Sequence, residues 1–250
     1  MAALPYRNYI FDLYGTLVDI HTDEEDPAAW AALARFYSYY GARYAPDALR
    51  AAYQQEVAAR TAGRAALRQD SHEAHPEIRL EEVFQALFQA RGAQADLALA
   101  VHAGQFFRAM TTRYLRLYDG ALEMLEMLRA KGGHLYLLSN AQRIFTAYEM
   151  QALGLDHSFE AVYLSSDWDC KKPDRRFFDL LLHQHHLDPA HSIMVGNDGL
   201  CDIAGAKQAG LATLYVRSNL SPEEPLPPAD LVLPAMDMAR MGAMLAGGQG

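Results

Sequence analysis

Tyr9-Ile10-Phe11-Asp12-Leu13-Tyr14-Gly15-Thr16-Leu17-Val18-Asp19 is the stretch that decides how this chain folds. An apolar run ends in Asp12, and a Gly-Thr turn follows. Such a run reads as a short buried strand. Open α/β sheets bind their ligands beyond the carboxyl ends of parallel strands. Asp12 is therefore the first candidate for chemistry.

The rest of the chain supplies the sheet. After Asp119-Gly120, helical Ala121–Ala130 ends at Lys131-Gly132-Gly133. Residues 134–138 then read as a strand running into Ser139-Asn140. Further strands are predicted at Ala161–Leu164, 192–195 and Ala212–Val216, with a short edge strand at 230–233. Amphipathic helices over 141–153, 174–186 and 202–209 fill the gaps. Alternating strands and helices predict a doubly wound, Rossmann-like parallel α/β sheet covered on both faces.

Between Asp12 and this alternation lies a long helical stretch. Helices are predicted at 28–40, 46–62, 78–89 and 95–117, with no strand pattern. Pro46 suits a first helical position and Asp47 a first turn. Leu80, Val83, Phe84, Leu87 and Phe88 recur at helical spacing. Residues 64–76 read as a polar loop carrying His72 and His75. The predicted organisation is a core of residues 1–20 and 118–250 with an α-helical cap, 21–117, inserted after the first strand. The Pro-rich 221–228 reads as a surface loop and the Gly-rich C-terminus as frayed.

Composition narrows the function. The 250 residues are 51% hydrophobic and 21% charged, with net charge −9 and pI near 5.5. An acidic chain without a Lys/Arg-dense run argues against a nucleic-acid partner. No apolar run approaches the ~18 residues of a membrane span, and residues 1–7 lack the apolar run of a signal peptide. Cys170 and Cys201 cannot build a disulfide framework, so a reduced, cytoplasmic setting is expected.

Four motifs then stand in order: Asp12; Ser139; Lys172 in Lys171-Lys172-Pro173-Asp174; and Gly196-Asn197-Asp198-Gly199-Leu200-Cys201-Asp202. Together they resemble the haloacid dehalogenase-like (HAD) hydrolases, in the branch with an α-helical cap after the first motif. The resemblance implies that Asp12 is a covalent nucleophile forming an aspartyl-phosphate. It implies that Thr16, Ser139, Asn140 and Lys172 meet a small phosphorylated substrate. It implies that Mg²⁺ is held by Asp12, the Tyr14 carbonyl, the last-motif pair Asn197 and Asp198, either of which can be the direct ligand, and Asp202. The chemistry is coherent: a carboxylate splits one hard step into two. A hard cation with oxygen ligands, a lysine and a hydroxyl offset the charge of attack on a phosphate.

The chain departs from that pattern at two places. The family's usual second Asp, an acid/base, is Tyr14 here. A phenol with a reference pKa near ~10 donates hydrogen bonds but is a poor base at neutral pH. The last motif reads Gly-Asn-Asp, which moves a carboxylate by one residue. Asp-x-Tyr-Gly-Thr is also similar to the 2-haloacid dehalogenases, which work without metal. Those enzymes place a Tyr six residues after the lysine, where this chain has Phe178. Arg43 compares with their carboxylate-binding arginine, although a surface role is expected for it. Asp198 and Asp202 have no use in metal-free dehalogenation, so phosphoryl chemistry is preferred. A protein that binds metal and phosphate without turnover is the third reading.

Overall fold

The computed structural model describes residues 5–66, 77–168 and 170–247. The loop with His72 and His75, and residues 248–250, lie outside the described residues. The elements in chain order are β1 (Asn8–Phe11), β2 (Val18–Thr22), α1 (Pro27–Tyr39), α2 (Pro46–Ala66), α3 (Leu80–Gln89), α4 (Leu97–Thr111), β3 (Thr112–Leu117), α5 (Ala121–Ala130), β4 (His134–Ser139) and α6 (Arg143–Ala152). Then come β5 (Ala161–Leu164), α7 (Arg175–Gln184), β6 (Ser192–Gly196), a π-helical turn (Gly199–Ala204) continuing as α8 (Gly205–Gln208), β7 (Ala212–Val216), β8 (Leu231–Leu233) and α9 (Met238–Leu245).

Six strands form one parallel sheet in the order β5-β4-β1-β6-β7-β8. Side-chain alternation in β1 explains how it sits between two helix layers. Tyr9 and Phe11 join a core with Leu125 and Leu128 of α5 and Met241 and Leu245 of α9. Ile10 joins the opposite core with Phe177, Phe178 and Leu181 of α7 and Ala206 of α8. The chain leaves β1 toward β4 but leaves β6 toward β7. β1 and β6 are neighbours whose connections diverge, which opens a crevice at their carboxyl ends.

The helices α1–α4 build their own core from Trp30, Leu33, Tyr37, Phe84, Phe88 and Phe107. Ile144 and Phe145 of α6 also belong to it, so the insertion packs directly on a sheet helix. The side chain of Gln142 accepts from Leu80 N–H (3.1 Å) and donates to the Ile78 carbonyl (3.0 Å). Ser165 Oγ donates to Glu77 (2.6 Å). These bonds seat the insertion beside the carboxyl ends of β4 and β5.

One expectation needs correction, and one helix lies outside the expected elements. Residues 95–117 are not all helical. α4 stops at Thr111, and Thr112–Leu117 pairs antiparallel with Val18–Thr22 as a two-stranded ribbon. Thr112-Arg113-Tyr114-Leu115-Arg116-Leu117 mixes β-branched and aromatic residues with leucines at period two, a signal masked by the apolar helix before it. Buried Asp19 fixes the ribbon by accepting from Arg116 (2.7 and 2.9 Å), Tyr114 (3.2 Å) and Asn219 (2.8 Å). The helix outside the expected elements is α9. Its signal was Asp237, whose side chain caps Arg240 N–H, followed by Met238, Met241 and Leu245 on one face.

Candidate active site

Asp12 lies one residue beyond β1, yet its N–H still donates to the Val195 carbonyl (2.9 Å). That bond fixes its side chain at the β1/β6 crevice. Ser139 closes β4 and donates from Oγ to Asp12 Oδ1 (2.9 Å). Lys172 precedes α7, which Asp174 caps. Its Nζ reaches Asp12 Oδ1 (2.7 Å) and Asp202 Oδ1 (2.6 Å), with the side chain only 1% exposed. Among the described residues no hydrogen bond falls on Asp12 Oδ2, so one carboxylate oxygen stays available for chemistry.

The remaining expected residues take more specific posts. Asn140 exchanges two bonds with the Lys172 backbone (2.8 Å each), so it positions the lysine. Fully buried Thr16 donates to Asn197 Oδ1 (3.2 Å), tying the first motif to the last. Asp198 spends Oδ1 capping Leu200 and Cys201 N–H groups (2.9 and 2.7 Å). Asp202, expected among metal ligands, has both oxygens engaged, Oδ1 by Lys172 and Oδ2 by Asp198 N–H (2.9 Å). Asp12, Ser139, Asn140, Lys172, Asn197, Asp198 and Asp202 converge on a cavity of about 200 Å³, whereas Thr16, expected to meet substrate, is buried beneath and does not line it. Leu220 and Pro222 of the Pro-rich loop add an apolar wall. Exposed Arg43 does not line this cavity, and Phe178 is wholly buried in the sheet core.

Three carboxylates line this cavity, and two of them, Asp12 and Asp202, contact its one ammonium. Burial alone would pull the Lys172 pKa down, but Asp12 and Asp202 outweigh it and hold the ammonium charged above its ordinary range. Burial pushes Asp202 up to about 6, against the attraction of Lys172. Burial, Asp198 and Asp202 push the Cys201 thiol up to about 12, which removes it as a nucleophile.

Tyr14 lines the same cavity but turns its hydroxyl elsewhere. The hydroxyl donates to Glu149 Oε2 and shares a 2.9 Å bond with Thr146 Oγ1, both on α6. Burial and the Glu149 charge push its pKa above the ordinary tyrosine value. The phenol is thus neutral and already engaged. Glu149 was missed in the sequence because an isolated glutamate inside a helix reads as a solvated residue.

Gly196 keeps the site closed. A Cβ there would stand 2.2–2.4 Å from Oδ2, Cγ and Cβ of Asp202. Gly196→Ala is expected to push Asp202 off Lys172, lowering the melting temperature by several degrees and turnover at least ~10-fold. Thermal unfolding and steady-state kinetics read both; an unchanged protein would contradict the close approach.

Known proteins resemble this chain in sequence and in fold. A family model described as haloacid dehalogenase-like hydrolase matches residues 6–210. The chain is 32% identical over 151 residues to the phosphoserine phosphatase of Thermus thermophilus, covering 60% of this chain and 59% of that protein. It is 34% identical over 110 residues to the glyceraldehyde 3-phosphate phosphatase of Methanothermobacter thermautotrophicus, covering 44% and 49%. The matches thus span about half to three fifths of those relatives. In fold it is similar to a 2-haloacid dehalogenase from Pseudomonas syringae pv. Tomato, with TM-score 0.66, 20% identity and coverage of 97% and 99%. With Asp12, Lys172 and the final acidic turn gathered at one sheet edge, the chain belongs to the haloacid dehalogenase-like hydrolases.

Proposed function

We propose that this hydrolase is a Mg²⁺-dependent phosphohydrolase acting on a small phosphorylated metabolite through an aspartyl-phosphate on Asp12. The observation that carries the reading is the buried Lys172–Asp12–Ser139 cluster with a further carboxylate, Asp198, at the same cavity. Lys172 and Ser139 lie beside the attacking carboxylate, where they contact phosphoryl oxygens as charge shifts onto them. The phosphatase names of the two curated relatives support the same class. A cavity of about 200 Å³ suits a phosphoryl group with a short remainder.

The donor set fits a hard cation. Among the described residues no three His, Cys, Asp or Glu side chains gather as a metal cluster. The oxygens on offer are mixed: Asp12, Asp198, the Asn197 amide and the Tyr14 carbonyl. Mg²⁺ accepts such a set because it keeps several waters. The cavity's charge also matches, since three carboxylates exceed the single ammonium. Bound there, the cation would act as Lewis acid and template.

In the first step an Asp12 oxygen bonds to phosphorus, the bond to the leaving oxygen breaks, and that oxygen departs with the electron pair. In the second, water attacks the same phosphorus and frees Asp12 and inorganic phosphate. Tyr14 protonates neither the leaving oxygen nor activates the water, because its hydroxyl belongs to Glu149. Aryl and acyl phosphates are therefore expected to outpace alkyl phosphates, and the aspartyl-phosphate to accumulate. The helical insertion acts as a cap that excludes water during transfer.

Phosphate release from a panel of small phosphate esters, with Mg²⁺ and with EDTA, tests the reading. Acid-quench trapping of labelled enzyme tests the intermediate. Release unaffected by EDTA, or no release from any ester, would reject it. The engaged Tyr14 favours one second reading, carbon attack with a halide leaving group that needs no proton. Halide release from a short 2-haloacid without phosphate release would install that reading instead.

A further inference from the structure

A buried ion pair sits on the seam between the helical insertion and the sheet. Arg108 of α4 donates to Glu149 of α6 through Nε to Oε1 (2.6 Å) and through a terminal nitrogen to Oε2 (3.4 Å). The side chains are only 16% and 10% exposed. The guanidinium also lies over the Phe145 ring (5.1 Å to the centroid) and at 5.9 Å from the Tyr14 ring centroid. Burial opposes the Arg108 charge, but Glu149 outweighs it. Glu24, itself pushed up by burial, is the second carboxylate that feels this arginine.

Glu149 also receives the Tyr14 hydroxyl, two residues from Asp12. One carboxylate thus gathers donors from the insertion and from the nucleophile loop, on a helix of the sheet layer. The loop has little slack. Gly15 N–H donates to the Val18 carbonyl (2.8 Å), and Leu17 and Val18 N–H groups both return to the Leu13 carbonyl (2.8 and 2.9 Å). Gly15 holds φ +81, a conformation that favours glycine, with Asn197 within 2.3 Å of where a Cβ would stand. A displacement of the Tyr14 ring is therefore passed to its backbone, to Thr16 and to Asn197.

An apolar seam would slide with little penalty, whereas a bidentate charge pair favours one register. We propose that Glu149 is a positioning residue that sets the nucleophile loop and the insertion in register, through Tyr14 on one side and Arg108 on the other. The Tyr14 hydroxyl is the loop's anchor in this arrangement. When the insertion shifts by more than a hydrogen-bond length, either the ion pair breaks or Glu149 carries Tyr14 with it. The loop then leaves the geometry that attack requires. The kinetic part of this inference rests on Asp12 being the nucleophile.

The test uses four full-length proteins: wild type, Arg108→Met, Arg108→Met/Glu149→Met and Tyr14→Phe. Arg108→Met leaves a buried carboxylate without its cation and is expected to melt roughly 10 °C lower. The double variant removes both charges and is expected to regain most of that loss. Its kcat on p-nitrophenyl phosphate should nevertheless stay at least ~10-fold below wild type with KM little changed, because small misplacements of reacting groups cost rate. Tyr14→Phe keeps the ring and loses the anchor, and should show the same kcat loss with a near-native melting temperature. Hydrogen–deuterium exchange of residues 12–18 should rise in both the double variant and Tyr14→Phe, while β6 stays protected. A double variant that regains wild-type kcat and exchange would overturn the proposal and leave the pair a stabilising contact. So would a Tyr14→Phe protein with native exchange over 12–18. Wild-type protein that releases no phosphate counts against the proposed activity, and the exchange comparison still decides the coupling.

Discussion

Asp12→Asn is expected to end phosphate release while leaving the protein folded and at least as stable as wild type. The loss follows from the free Oδ2 atom, since an amide is a far weaker nucleophile than a carboxylate. Removing a covalent nucleophile costs roughly 10⁴-fold or more in turnover. The stability follows from charge. Asp12 and Asp202 share the single ammonium of Lys172 in a site where these groups are almost fully buried. Replacing Asp12 leaves Lys172 matched one-to-one with Asp202, and the asparagine oxygen still accepts from Ser139 and Lys172. Unfolding curves that coincide with wild type or shift upward, together with lost activity, are the expected pair of results. Turnover within about 100-fold of wild type in purified variant would remove Asp12 from the chemistry.

Lys172→Met should damage both activity and stability, and the two effects separate by pH. Loss of one donor to developing charge costs roughly 10²–10³-fold in rate. The methionine also leaves two buried carboxylates facing each other without their cation. Breaking a buried pair in this way costs about 3–5 kcal/mol. Asp202 is already pushed up to about 6 by burial with the lysine present, and losing the lysine raises it further. A carboxyl group whose folded pKa lies above its unfolded value favours folding when protonated. Its contribution is complete below the unfolded pKa of about 4 and is lost as pH rises through the folded value. The variant is therefore expected to be most stable near pH 4–5 and to weaken steadily toward pH 8. Adding Asp202→Asn should flatten that slope and restore melting temperature without restoring turnover. Melting curves of the single variant that are parallel to wild type across this range would contradict the shared-ammonium geometry.

The four motif residues were legible because each marks a strand end or helix start. Asp12 follows an apolar run, Ser139 closes another, Lys172 precedes a proline and a capping aspartate, and Asp198 opens the last turn. Such signals are local, and parallel α/β topology then brings strand ends to one edge. The strands Ala161–Leu164 and Ala212–Val216 were bounded correctly for the same reason, as short apolar runs between turn signals. Thr112–Leu117 was not, because its period-two leucines follow directly on the apolar helix α4 with no turn signal between them.

What each polar side chain does was decided by tertiary contacts. The sequence by itself determined a parallel α/β core and marked Asp12, Ser139, Lys172 and Asp198 as strand ends and helix starts. Only the folded chain assigned Asp202 to Lys172, Asn140 to the lysine's backbone, Thr16 to Asn197 and the Tyr14 hydroxyl to Glu149. The last of these joins positions 135 residues apart. Spacing along a chain carries periodicity and caps, which are short-range. It carries no information on which buried donor meets which acceptor across two packed layers, and at this site that pairing separates residues able to react from those that hold them in place.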